Sequence, residues 1–233
     1  MYRMDLVGLA HRIVADRFPA ARAAVLGGSV SAGRATATSD LDIVVVVDGP
    51  PAPYRETIRV DGVPVELFVH TEESLVFWFA RDRDAGSCTL AHMLATGLPL
   101  AGDHVQRMQE QARAHLAAGP AAWTAQHLQY RRYALTDALD DLVDTLDVDE
   151  RDVVAGQVLV MTAQLALGSR GAWLGKGKWL VRRLRAEDDR LAEDLLTGHH
   201  RAVATGDPTG LVAAADQVLD AVGGRLTEGF SSR

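Results

Sequence analysis

The stretch Gly27-Gly28-Ser29-Val30-Ser31-Ala32-Gly33-Arg34-Ala35-Thr36-Ala37-Thr38-Ser39-Asp40-Leu41-Asp42-Ile43 decides the fold. The short apolar segment before it, residues 22–26, stops at Gly27-Gly28 and reads as a buried strand. Residues 41–47 are rich in β-branched side chains and end at Asp48-Gly49-Pro50-Pro51, a strand with a firm stop. Asp40 and Asp42 are two apart at the mouth of that strand, so alternation puts both carboxylates on one face. Two anions that close repel unless a cation sits between them, and hard oxygen ligands suit Mg²⁺. Gly28 lets a backbone approach phosphate closely. Ser29 adds a hydroxyl and a backbone N–H at the start of a turn or helix.

Outward from this stretch, Leu6, Leu9, Ile13 and Val14 fall at helical spacing, which predicts an amphipathic helix over residues 4–18. Residues 54–60 and 63–69 flank Asp61-Gly62, a strong hairpin signal. Glu66 lies on the second strand of that hairpin, with Val65 and Leu67 on the opposite face, and supplies a third carboxylate. After Thr71 strand signals vanish: residues 72–83 and 89–96 read as helices interrupted by Gly97-Leu98-Pro99. From residue 105 to 224 only helix patterns occur, broken near Gly119-Pro120, residues 168–177, Gly198 and residues 206–208. The expected class is α+β: an α/β domain with a mixed sheet, residues 1–103, then an all-α bundle of four or five helices, residues 104–233.

Bulk properties narrow the function. The chain has 233 residues, 48% hydrophobic and 24% charged, enough for a real core. A net charge of −7 is not the basic balance of a nucleic-acid binder. Cys88 is the single cysteine, so an intramolecular disulfide and a cysteine-built zinc site are both excluded. The N-terminus lacks the unbroken apolar stretch of a signal peptide, and no unbroken apolar run has the length of a membrane span. A cytoplasmic protein without membrane or nucleic-acid partner is expected. Residues 28–39 lack the Gly-Lys-Ser/Thr ending of a Walker loop.

The order strand, Gly28-Ser29, Ser39-Asp40-Leu41-Asp42 and later Glu66 resembles the nucleotidyltransferase fold of the DNA polymerase β superfamily. Within it, Gly28-Ser29, Gly33, the Asp40–Asp42 motif and the helical C-terminal half are similar to bacterial antibiotic nucleotidyltransferases, aminoglycoside adenylyltransferases above all. The motif-level likeness covers about residues 22–70; beyond them it is one of architecture. The resemblance implies that Asp40 and Asp42 hold metal and that Gly28, Ser29 and Ser39 bind the nucleotide. It implies that Glu66 acts as general base or completes the metal site. It also implies Mg²⁺ as cofactor, ATP or another nucleoside triphosphate as co-substrate, a small-molecule acceptor, and a phosphate-binding lysine in the helical half. Lys178, at the start of a helix after a glycine-rich break, is the choice for that lysine over Lys176. The acidic run from Asp137 to Asp152 reads either as a solvated helix face or as a lure for a polyamine-like acceptor, with Arg131 and Arg132 as partners for the acids or for phosphate. Two rival expectations are a protein adenylyltransferase of the antitoxin type and a catalytically silent nucleotide-binding regulator.

Overall fold

The computed structural model describes residues 5–231. Its contacts divide the chain into two compact units, Met1–Gly119 and Pro120–Arg233.

The first unit is a five-stranded sheet in the order β3 (Tyr54–Val60), β4 (Val63–His70), β2 (Leu41–Val46), β1 (Ala23–Leu26) and β5 (Leu98–Ala101), covered by helices on both faces. Helix α1 (Leu6–Arg17) begins at Asp5, whose side chain accepts a hydrogen bond from the Gly8 N–H. Strand β1 (Ala23–Leu26) is wholly buried and pairs antiparallel with β2 (Leu41–Val46). One helical turn, α2 (Gly28–Ser31), follows β1 directly. Strands β3 (Tyr54–Val60) and β4 (Val63–His70) form the expected hairpin around Asp61 and Gly62, both with positive φ. Strand β4 pairs parallel with β2, which makes the sheet mixed.

Alternation sorts the side chains of this sheet. Leu41, Ile43 and Val45 face Leu9, Ala10, Ile13 and Val14 of α1. Val44 and Val46 face the other way, toward Leu75 of α3 (Glu72–Asp84), Met93 and Leu94 of α4 (Thr89–Thr96), and Val105 and Met108 of α5 (Val105–Ala118). A capping box, Thr71 with Ser74, starts α3 as the chain leaves β4.

One sequence expectation about this unit is corrected here. Residues 98–101 are strand β5 (Leu98–Ala101), paired antiparallel with β1, where the sequence reading had only an interruption. The strand is four residues long and carries Pro99, so it has no periodicity to show; an edge position tolerates the missing N–H. Helix α5 packs on α4 and β1 within the first unit, so the compact unit runs past the composition change near residue 103.

The second unit contains α6 (Ala125–Asp144), α7 (Val148–Ser169), α8 (Lys178–Glu187), α9 (Asp189–Thr205) and α10 (Thr209–Asp220) around a core that includes Leu139, Leu142, Val158, Leu165, Leu184, Leu195 and Leu219. Helix α7 is long and apolar enough to cross a membrane by length and composition, yet its Ala155, Val158, Ala163, Leu165, Ala166 and Leu167 are buried in this core. Gly198 does not break a helix. It lies inside α9, where a Cβ would stand 2.5 Å from the Leu211 nitrogen and 2.8 Å from the Gly210 carbonyl carbon. The glycine is there because α9 and α10 touch backbone to backbone.

That contact makes a paired prediction. Gly198→Ala gains about 1 kcal/mol of helix propensity but must push α10 away, for a net loss of about 2 kcal/mol. Gly156→Ala, mid-α7 with nothing within 4 Å of the new Cβ, is expected to stabilise by about 0.5–1 kcal/mol. Urea titrations of both variants check this, and an equal sign for the two would refute the close-packing account.

His70 ends β4, only 7% exposed, with Nδ1 3.2 Å from Ser74 Oγ. Burial pushes it from its ordinary 6.5 to about 4, so the folded protein keeps the ring neutral while the unfolded chain takes a proton. The stabilising contribution is complete above pH 6.5 and is lost as pH falls toward 4, by at most about 3 kcal/mol. His70→Gln should flatten the stability–pH curve in that window, measured by denaturant titration at pH 7.5, 5.5 and 4.5.

Candidate active site

The turn after β1 and the mouth of β2 are built against each other. The Gly27 N–H donates to the Asp42 carbonyl at 2.7 Å, which locks the strand exit beside the aspartate. Gly28 has φ +70°, and a Cβ there would lie 1.9 Å from Asp42 Oδ2. Glycine is required twice over: the backbone is left-handed and the carboxylate occupies the space a side chain would take.

Ser29 and Ser39 join the two ends of the intervening loop. The Ser29 hydroxyl donates to Ser39 Oγ at 3.0 Å, and Ser39 Oγ accepts from the Thr36 N–H at 2.8 Å. The Arg34 N–H returns to the Ser29 carbonyl at 2.9 Å. Ser39 therefore fixes the residue just before Asp40 against the Gly-Ser turn, while Gly33, at φ +67°, lets the chain reverse.

Parallel pairing brings in the third carboxylate. In the β2–β4 register Asp42 stands opposite Glu66, one step before Ile43 opposite Leu67. Asp40, Asp42 and Glu66 each offer an oxygen, and these oxygens lie within 4.8 Å of one another; all three residues are half-buried. Among the described residues this is the one group of His, Cys, Asp or Glu that could hold a metal ion. Asp42 and Glu66 share by alternation the sheet face of Val44, Val46 and Phe68.

Sequence reasoning passed over Arg55. From the edge strand β3 its Nη2 donates to Glu66 Oε2 at 2.6 Å, and its guanidinium lies 4.8 Å from the centre of the Phe68 ring. The only sequence signal was a charge on the outward face of a hairpin strand, which looks the same whether it faces water or a neighbour.

The other expected residues are spread out. Lys178 is the first residue of α8 in the second unit, with an exposed side chain. Asp137, Asp140, Asp141 and Asp144 line an exposed side of α6, and Asp140 pairs with Arg225 at 3.0 Å. Asp147 caps α7, accepting from the Asp149 and Glu150 N–H groups. Arg131 and Arg132 do not pair with these acids in any described contact. Arg131 bonds His127 and Gln164, and Arg132 bonds the Gly223 and Gly224 carbonyls. A cavity of about 370 Å³ is lined by Leu75, Val76, Phe79, Leu94 and Met108 with Glu72, Glu73 and Gln111, and by none of the three carboxylates.

The close approach at Gly28 can be measured. Gly28→Ala should cost about 2–4 kcal/mol, from strain plus displacement of Asp42. Gly33→Ala, at nearly the same φ but with nothing within 4 Å, should cost about 1 kcal/mol from strain alone. Equal losses in thermal or urea unfolding would remove the Asp42 contact from the account.

Residues 10–88 match the family model of the nucleotidyltransferase domain, a span that takes in the Gly-Ser turn and all three carboxylates. Among solved structures the chain is similar to a nucleotidyltransferase-like protein from Exiguobacterium sibiricum, at 12% identity and a TM-score of 0.47, over 91% of this chain and 74% of that one. No curated protein matches the sequence significantly.

Proposed function

We propose that this chain is a divalent-metal-dependent nucleotidyltransferase that moves a nucleoside monophosphate, AMP from ATP in the first instance, onto a hydroxyl of a small cationic acceptor of the aminoglycoside kind. One observation carries the reading: three carboxylates gathered within 4.8 Å beside a Gly-Ser turn, inside the segment that matches the nucleotidyltransferase domain.

The donor set fits Mg²⁺. Oxygen ligands alone, from carboxylates on two neighbouring strands, suit a hard ion that takes one or two protein carboxylates and completes its shell with phosphate and water. A bound ion would neutralise charge developing on the phosphoryl oxygens. Asp40 and Asp42 would hold it, and the register of Glu66 opposite Asp42 supports a ligand role for Glu66 over that of general base.

The remaining steps belong to the chain's own residues. Gly28 and Ser29 receive the β- or γ-phosphate: the glycine backbone admits close approach, and the serine offers its hydroxyl and N–H. Ser39 keeps the Ser29 hydroxyl in place by its 3.0 Å hydrogen bond. The acceptor hydroxyl releases its proton to solvent as its oxygen attacks the α-phosphorus in line; the new O–P bond forms, the α–β bridging O–P bond breaks, and pyrophosphate leaves. The acceptor class is supported by the net charge of −7, which favours a cation over a nucleic acid, and by the family likeness of the Gly-Ser and Asp-Leu-Asp motifs.

Pyrophosphate release with each of four triphosphates, screened against aminoglycosides, tests this. Asp42→Asn is expected to lower turnover about 1000-fold, the several kcal/mol that metal-assisted charge stabilisation supplies, with an unchanged melting temperature. Wild-type turnover in that variant would sink the metal role. Labelled nucleotide found on a polypeptide instead of the small molecule would move the acceptor to a protein.

A further inference from the structure

We infer that Arg55 is a resident counter-ion of the carboxylate group, one that competes with a divalent cation for Glu66. The inference rests on the metal role proposed above for Asp40, Asp42 and Glu66.

Three carboxylates within 4.8 Å repel one another, and Arg55 offsets part of that charge through a 2.6 Å bond to Glu66 Oε2. In the strand register Glu66 is the diagonal neighbour of Arg55, not its direct partner. Opposite Glu66 on β3 stands Thr57, and Arg55 stands opposite Phe68. An arginine there has open solvent available; its side chain is 60% exposed. Instead it runs diagonally across the Phe68 ring, 4.8 Å from its centre, to reach the carboxylate. Stacking on the ring and bonding to the oxygen together hold the guanidinium on Glu66.

The consequence concerns ion loading. A Glu66 oxygen bonded to a guanidinium gives less to a cation, and a fixed positive charge nearby repels that cation. Because the pair is exposed at the Arg55 end, it yields when a stronger ligand set assembles. Arg55 thus weakens ion binding before the triphosphate contributes its own negative oxygens, and couples full loading to the nucleotide.

The test is an electron paramagnetic resonance titration of free Mn²⁺ with the full-length protein, without nucleotide, for wild type, Arg55→Ala, Arg55→Gln, Arg55→Lys and Asp42→Asn. The two charge-removing variants should bind Mn²⁺ about threefold to tenfold more tightly, the scale of a partly exposed ion pair, and Arg55→Lys should stay within about twofold of wild type. A purely structural role would loosen the site, the opposite sign. Unchanged or weaker binding in Arg55→Ala and Arg55→Gln, with Asp42→Asn still impaired, overturns the inference and leaves the metal site standing. Mn²⁺ binding that is absent or indifferent to Asp42 in every variant overturns the metal role itself, and the inference with it. Circular dichroism identifies any variant that fails to fold, and either charge-removing variant suffices.

Discussion

The first unit depends on the parallel pairing of β2 with β4, because that register alone sets Asp42 opposite Glu66. Parallel neighbours need a crossover, and the chain supplies it with the edge strand β3, which then returns through the Asp61-Gly62 turn. Slipping β4 by one residue would turn Glu66 to the α1 side and move Val65 and Leu67 off it. The buried Val65, Leu67 and Val69 therefore hold the site's geometry from the opposite face of the strand. Packing and chemistry constrain the same register.

Around that pairing, the contacts grade from rigid to yielding. At Gly28 and Asp42 the backbone and the carboxylate are in such close approach that no side chain fits between them. The Ser29–Ser39 bond ties together the two ends of the loop between the Gly-Ser turn and Asp40. Arg55, stacked on Phe68 and more than half exposed, is the least constrained of the groups touching the carboxylates. Under the proposed function, a phosphate cradle would call for the first kind of contact, and a counter-ion that gives way to metal would call for the last.

In the second unit, by contrast, the charges mostly serve local structure. Asp147 caps α7, Asp188 caps α9, and Arg225 bridges Asp140 and Asp216. Two glycines, Gly198 and Gly210, let α9 and α10 meet with almost no side chain between them. Within the acidic run, Asp147, Asp149 and Glu150 lie at the start of α7, and Asp137, Asp140, Asp141 and Asp144 line an exposed side of α6.

Much of this was determined by the sequence alone. The hairpin boundaries, the carboxylates Asp40 and Asp42 at a strand mouth, and the Gly-Ser turn before them all follow from local rules, namely alternation, turn chemistry and glycine's freedom at positive φ. Local rules say nothing about which strand lies beside which. Strand β5 could not be seen because four residues with a proline carry no period, and Gly198 was misread because a glycine that breaks a helix and one that admits a neighbouring helix look alike in one dimension. The meeting of Glu66 with the aspartates, and of Arg55 with Glu66, was decided by tertiary structure. Both depend on strand order and register, long-range properties set by how the apolar faces of the whole sheet are buried.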